Sequence, residues 1–162
     1  MAQLIDLIIR EIISEDYELL AYFFDENNVP DVIRVFHPFS LDGKSAYDIA
    51  CMDHLDRYYI ALSDNKIIGF CMLRGWDEGY SIPSFGVLVD RKFQNLGLGR
   101  KITVHAIEEA KRFGCHRVRL SVYASNKIAL NLYTSLGFNE EKREIVQVMG
   151  ESDEKIIMFK NL

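Results

Sequence analysis

Gln94-Asn95-Leu96-Gly97-Leu98-Gly99-Arg100 is the stretch on which the reading of this chain turns. Its two glycines let the backbone turn without a Cβ penalty, so successive N–H groups can converge on one anion at the positive end of a helix dipole. Arg100 adds a full charge at that point. Upstream, Phe85 to Val89 is a short apolar run; downstream, Ile102, Ala106, Ile107, Ala110 and Phe113 recur at helical spacing until Gly114. The expected order is therefore strand, anion-gripping turn, amphipathic helix.

Working outward, Val118, Leu120 and Val122 alternate as a strand, Ser125-Asn126 opens a second helix and Gly137 closes it. Ile145 to Met149 and Lys155 to Phe159 predict two terminal strands around Gly150-Glu151-Ser152-Asp153. Toward the N-terminus, Tyr58 to Ser63 and Lys66 to Leu73 flank Asp64-Asn65 as a hairpin, and Trp76 to Pro83 forms a polar connection. Leu4 to Ile13 predicts a strand, and Ser14 an N-cap for a helix whose apolar side includes Leu19, Leu20, Phe23 and Phe24. Asn27-Asn28-Val29-Pro30 breaks that helix, and Ala46 to Met52 is a short one in an irregular region. The sum is an α/β fold with a mixed, mostly antiparallel sheet and helices on both faces.

At 162 residues and 49% hydrophobic content, one domain spanning 1–162 with a two-layer core is expected. The apolar runs are too short for a membrane helix, and the start of the chain lacks the pattern of an export signal. Cys51, Cys71 and Cys115 are odd in number and without paired spacing. Neither a disulfide framework nor a metal knuckle is expected, and reduced thiols point to a cytoplasmic protein. The net charge of −5 conceals an asymmetry: residues 1 to 80 carry 6 Lys/Arg against 15 Asp/Glu, and residues 81 to 162 carry 13 against 9. Charge steering would draw an anionic ligand to the second half and a cationic one to the first. With no basic aromatic tract, neither nucleic acid nor a membrane is an expected partner.

Two phosphate-binding motifs fail on inspection. A dinucleotide fingerprint would need a third glycine at position 102, where Ile102 stands. Gly43-Lys44-Ser45 imitates the end of a P-loop, but Pro38 occupies the position of its first glycine. What remains is Gln-x-x-Gly-x-Gly after a strand. Val89-Asp90-Arg91-Lys92-Phe93-Gln94-Asn95-Leu96-Gly97-Leu98-Gly99 resembles the acetyl-CoA motif of the GCN5-related N-acetyltransferase (GNAT) superfamily. Ser121-Val122-Tyr123-Ala124-Ser125-Asn126 through Leu132-Tyr133-Thr134-Ser135-Leu136-Gly137-Phe138 resembles that family's second motif. Together they cover about half the chain in the family's order; the first half carries no comparable signature.

The resemblance implies a sheet whose central parallel strands splay apart, and acetyl-CoA as cosubstrate, with no metal. Coenzyme A pyrophosphate would rest on Gln94, Asn95, Leu96, Gly97, Leu98, Gly99 and Arg100. Pantetheine would add like a strand to Val87, Leu88 and Val89, with the Val89 amide donating to the thioester carbonyl. Asn126 and Tyr133, two helical turns apart, would face the same groove, Tyr133 as the acid that protonates the departing thiolate. On residue type alone, Tyr133 reads as a packed aromatic and Asn126 as an N-cap.

The base is where the chain departs from its relatives. Members acting on ribosomal-protein N-termini present a glutamate where Ser121 lies, and histone-type members one near Pro83-Ser84; neither carboxylate is present. A water chain ending at Glu78, Asp77, His37 or His54 is the alternative. The acceptor-site candidates are His37, Trp76, Asp77, Glu78, Ser84 and Ser121, the acids and aromatics suiting a cation or a sugar face. For Trp76, ordinary loop packing stands beside that reading. The leading expectation is direct acetyl transfer to a primary amine, on a small molecule or a peptide. Two alternatives stay open: a ping-pong route through Cys71, and a non-catalytic acyl-CoA sensor or interaction module. Family members often form homodimers, which the sequence leaves open.

Overall fold

The computed structural model describes Leu4 and residues 6–162. Strand β1 (Ile8–Glu11) and a one-turn 3-10 segment lead into helices α1 (Tyr17–Asn27), α2 (Pro30–Val35) and α3 (Gly43–Cys51). Strands β2 (Arg57–Ser63), β3 (Lys66–Arg74) and β4 (Ser84–Val89) precede α4 (Leu98–Arg112), and β5 (Arg117–Tyr123), α5 (Lys127–Ser135), β6 (Asn139–Val148) and β7 (Glu151–Asn161) complete the order. The strands form one sheet in the order β1-β2-β3-β4-β5-β7-β6. Every neighbouring pair is antiparallel except β4 and β5, which run parallel.

Local chemistry accounts for the elements. Asp64 and Asn65 both adopt positive φ, the geometry of a two-residue hairpin whose twist matches its strands. Met149 and Gly150 do the same between β6 and β7, so the second hairpin turns there and not over Gly150 to Asp153, and both of its strands run longer than expected. The first strand is shorter than the apolar run from Leu4 to Ile13. Among the described residues Ile8–Glu11 pairs with β2, the Ile12 N–H adds a bond to Tyr58 O at 3.0 Å, and Asp6 has positive φ; Ile5 lies outside the described residues. Ser14 is not the cap of α1: the Asp16 carboxylate receives the Ile13 N–H at 2.9 Å and the Arg10 guanidinium at 2.8 Å, whereas the Ser14 hydroxyl donates to Glu15. A carboxylate that satisfies an orphan helix donor and an arginine at once outcompetes a hydroxyl.

Two apolar clusters grip the sheet from opposite sides. Leu20, Phe23 and Phe24 of α1, with Ala46 and Ile49 of α3, pack against Tyr58, Ile60, Phe70 and Met72. Leu19, expected on that buried side, is exposed. On the other side Leu98, Ile102 and Ala106 of α4 and Tyr133 of α5 pack against Leu73, Phe85, Leu120 and Val122. The first cluster covers β2 to β4, while the corresponding face of β5 and β7 has no helix from it.

One feature of the sheet sets up the site. Parallel β4 and β5 pair only at Ser84 with Arg119, where the Arg119 N–H reaches the Pro83 carbonyl at 2.9 Å. Beyond that bridge they diverge. The Asp90 N–H bonds Ile68 O on β3, and the Ala124 N–H bonds Glu154 O on β7. Strand alternation then turns the peptide groups of Val87 and Val89, and of Ser121 and Tyr123, into the gap.

Candidate active site

The gap opens into two cavities that meet over Phe85, Gly86, Ser121, Val122 and Tyr123. The larger, about 910 Å³, runs between β4 and α5 to the N-terminus of α4, with α2 along one side. The second, about 820 Å³, extends from the mouth of the gap past the segment 74–86 to Arg119 and Lys155.

At the α4 end, Asn95 and Gly97 both have positive φ, and Gly97 caps the helix without any side-chain acceptor. The first-turn N–H groups of α4 are thus left to an external acceptor, the arrangement that binds anions. The loop is held from behind by the buried Asn27 of α1: its carbonyl receives the Arg91 N–H at 3.3 Å and its amide donates to Phe23 O at 2.9 Å. Asp90 accepts the Lys92 N–H at 2.8 Å and starts the turn. Gln94, Asn95, Gly97, Leu98, Gly99 and Arg100 line the larger cavity; Leu96 does not. Arg100 spends one guanidinium nitrogen on Ser135 Oγ at 2.7 Å.

Further along, Val87, Leu88 and Val89 form one wall and Ala129, Leu132 and Tyr133 the other. Asn126 caps α5, its oxygen receiving the Ala129 N–H at 3.4 Å, and also lines the cavity, so both readings of this residue coexist. Tyr133 is 7% exposed and held edge-on between Phe85 and Phe138. Burial, with Cys71 nearby, pushes its phenol far above the ordinary range, so it stays protonated at neutral pH. Cys71 lies in the core, lines neither cavity, and its thiol is pushed up by burial and by Glu109. A thiol so far from ionisation is a poor nucleophile, which removes the structural support for the ping-pong route.

The acceptor candidates separate into two groups. His37, Glu78, Ser84 and Ser121 line the second cavity. His37 Nδ1 faces the Ile33 carbonyl at 2.8 Å and therefore carries the hydrogen, and Nε2 receives the Tyr123 hydroxyl at 2.9 Å. Trp76 and Asp77 lie outside both cavities. Trp76 packs edge-on against Phe113, and the Asp77 carboxylate receives the Leu55 and Asp56 N–H groups at 2.8 and 3.2 Å. These amides hold the Asp77 carboxyl below its usual range. His54 faces Asp77 at 3.6 Å and is likewise outside the cavities.

The sequence reading passed over several contributors. Helix α2 supplies Val32 and Val35 to the walls and Phe36 follows at its C-cap, while its Arg34 bridges Ser125 Oγ at 3.1 Å and Asp153 at 3.0 Å, clasping the two sides of the gap. Arg74, Arg119 and Lys155 line the second cavity, so its cations come from both halves of the chain and the charge asymmetry read from sequence does not divide the site. Alternation along β5 was the signal available, since it sets Arg117, Arg119, Ser121 and Tyr123 opposite the apolar Val118, Leu120 and Val122. Among the described residues, no group of three or more His, Cys, Asp or Glu side chains could hold a metal ion, and no helix is long and apolar enough to cross a membrane.

Comparison with known proteins agrees with this geometry. The chain is 40% identical over 76 residues to the ribosomal protein bS18-alanine N-acetyltransferase of Escherichia coli K12, covering 46% of this chain and 51% of that relative. It thus spans about half the length of the curated relative it matches. Among solved structures, ribosomal-protein-S5-alanine acetyltransferase from Vibrio fischeri superposes with a TM-score of 0.81 at 18% identity, covering 99% of this chain and 95% of the other. Spermidine N-acetyltransferase from Vibrio cholerae, in complex with CoA and spermine, superposes at 0.79 with 20% identity over 96% and 95%. At those identities the likeness is one of fold. The acetyltransferase (GNAT) family matches residues 9–138, and with the splayed strands, the uncapped α4 and the Asn126-to-Tyr133 helix in place, the chain belongs to that family.

Proposed function

We propose that this protein transfers an acetyl group from acetyl-CoA directly to a primary amine. The observation that carries the reading is the single β4–β5 bridge, which opens backbone N–H and C=O groups toward Tyr133 and leads to the uncapped N-terminus of α4. These residues fit the cosubstrate. The α4 amides suit its pyrophosphate, the peptide groups of Val87 and Val89 suit a strand-like pantetheine, and the cavity has the volume of a small-molecule site. When bound, acetyl-CoA supplies an activated thioester carbonyl. The Val89 N–H donates to the carbonyl oxygen as negative charge develops there, and Tyr133 gives its proton to the departing sulfur. The proton shed by the amine leaves through the second cavity, where Glu78 and His37 are the candidate bases that line the wall. Leu96, whose side chain does not line the cavity, would contribute through its backbone, as Gly97 and Gly99 must.

The relatives' names make an amine acceptor the natural class, alanine N-termini in one case and a polyamine in another. Both core clusters pack on one sheet, which supports reading the chain as one catalytic domain, and three unpaired cysteines suit a cytoplasmic setting. The decisive variant is Tyr133→Phe. It removes only the hydroxyl, and turnover measured by release of free CoA thiol is expected to fall about 100-fold, with calorimetric affinity for acetyl-CoA unchanged. Wild-type turnover in that variant overturns the acid assignment. Tight acetyl-CoA binding with no CoA release across a broad amine panel would favour the sensor.

A further inference from the structure

The floor of the second cavity is built by strand register. Arg74 on β3 lies opposite Ser84 on β4, Ser84 opposite Arg119 on β5, and Arg119 opposite Phe159 on β7, so all four side chains stand in one row on one face. Two residues along β5 the same face carries Ser121, and two further Tyr123, with Lys155 opposite it on β7. The first apolar cluster includes no residue of β5 or β7.

The charges on this floor are unbalanced. Arg74, Arg119 and Lys155 line the cavity against one carboxylate, Glu78. Arg119 has Ser84 Oγ at 3.4 Å as its side-chain contact and, among the described residues, no carboxylate within 4 Å. Lys155 is also without a carboxylate partner: Glu144, across the strands, turns to Lys142 at 3.7 Å, and Glu154 turns to Arg143 at 3.3 Å. Arg74 is the partly engaged member: it faces Asp56 at 3.9 Å and lies over the Phe39 ring at 5.6 Å, while its buried Nε makes no hydrogen bond. Arg117, on the same face but outside the cavity, is closed by Glu141 and lies over the Phe159 ring. In a protein of net charge −5, whose other arginines include close pairs such as Arg10 with Asp16, Arg119 and Lys155, cations in a cleft without a carboxylate partner among the described residues, are available to a ligand.

We infer that the acceptor carries an anionic group, a carboxylate or a phosphate, close to the amine it presents, and that Arg119, assisted by Lys155 and Arg74, holds that anion on the floor of the second cavity. Arg119 sits at the bridge and Ser121 where the two cavities meet, two residues apart or roughly 7 Å of strand. The anion and the amine are therefore separated by a few bonds, as in an amino acid or a phosphorylated amino sugar, and not by the length of a polyamine. A guanidinium fork suits either anion. Glu78, the one carboxylate lining the cavity, is the group that meets the incoming ammonium.

The inference rests on the transfer reading, and matched acceptors separate the two. CoA release is measured with α-amino acids against their carboxamides, and with amino-sugar phosphates against the free amino sugars. The anionic member of at least one pair is expected to exceed its neutral partner about 10- to 100-fold in kcat/KM, and whichever pair responds identifies the anion. In Arg119→Ala that ratio should collapse toward unity through the acceptor KM, with Arg119→Lys restoring part of it; Lys155→Ala, a more peripheral change, should lower the ratio less. Turnover that favours neutral or polycationic amines, with a ratio indifferent to Arg119 and Lys155, overturns the inference and leaves acetyl transfer standing. Absence of CoA release with every amine overturns both.

Discussion

The half of the sheet on the β1 side of the bridge and the half beyond it are built to opposite rules. Strand β3 is buried at seven consecutive positions, because α1 and α3 cover one face and α4 the other. Strand β5 alternates, with Val118, Leu120 and Val122 buried and Arg117, Arg119, Ser121 and Tyr123 open to varying degrees, and β6 is exposed along most of its length. A strand sandwiched on both sides favours apolar groups, whereas one with an open face can also carry charge. The doubly covered half therefore sets stability. The half with an open face is free to set specificity, and the two cavities lie where the halves part.

The largest test of this contrast is Phe70→Ala. Phe70 is fully buried and touches the rings of Phe24, Phe36, Phe39 and Tyr58, so denaturant unfolding should show a loss of about 3–5 kcal/mol. If the loss is under about 1 kcal/mol, the doubly covered half is not the stability centre. Next comes an alkaline titration. Burial raises the Tyr58 phenol from 10.0 to about 12, with Asp56 and Asp77 adding to the rise against Arg74, while the unfolded chain ionises near 10. Stability is then fully present below pH 10 and falls as pH rises toward 12, by about 1.4 kcal/mol per unit for this group. Tyr58→Phe should flatten that limb.

On the open half the expected effects are smaller. Asp153 is held at about 2, first by the Ser125 hydroxyl and then by Arg34, against the cost of burial. Asp153→Asn should cost about 1–3 kcal/mol at neutral pH. The difference from wild type should shrink as pH falls from about 4 toward 2 and the native carboxylate protonates; a difference independent of pH would mean that packing, not charge, is lost. At the bottom of the scale, Ile145 is 78% exposed on β6, and Ile145→Ser should change stability by less than about 0.5 kcal/mol.

Legibility in the sequence followed the same division. The roles expected of Asn126 and Tyr133 came through the family resemblance, their residue types alone giving a cap and a packed aromatic. The turn from Gln94 to Arg100, by contrast, could be read directly, because a left-handed turn requires particular residues at contiguous positions. The hairpin at Asp64-Asn65 was legible for the same reason. Arg74, Arg119 and Lys155 were not, since only the register across β3, β4, β5 and β7 brings them together. Nor was the role of Arg34, whose partners lie 91 and 119 residues away. Trp76 and Asp77 looked functional through composition. They serve a loop, because nearby amides and Phe113 claimed them first.

A sheet that opens in its middle has four edges. The two inner ones, at Val87 to Val89 and at Ser121 to Tyr123, present peptide groups of the kind that recruit stray strands and seed aggregation. Here α2 and α5 flank the opening, the Arg34 clasp spans it, and Gly86 keeps its floor low, since a Cβ there would come within 2.5 Å of the Met72 methyl. The exposed inner edge is thus bordered by helices and a side-chain clasp, which limits the directions from which another strand can approach it.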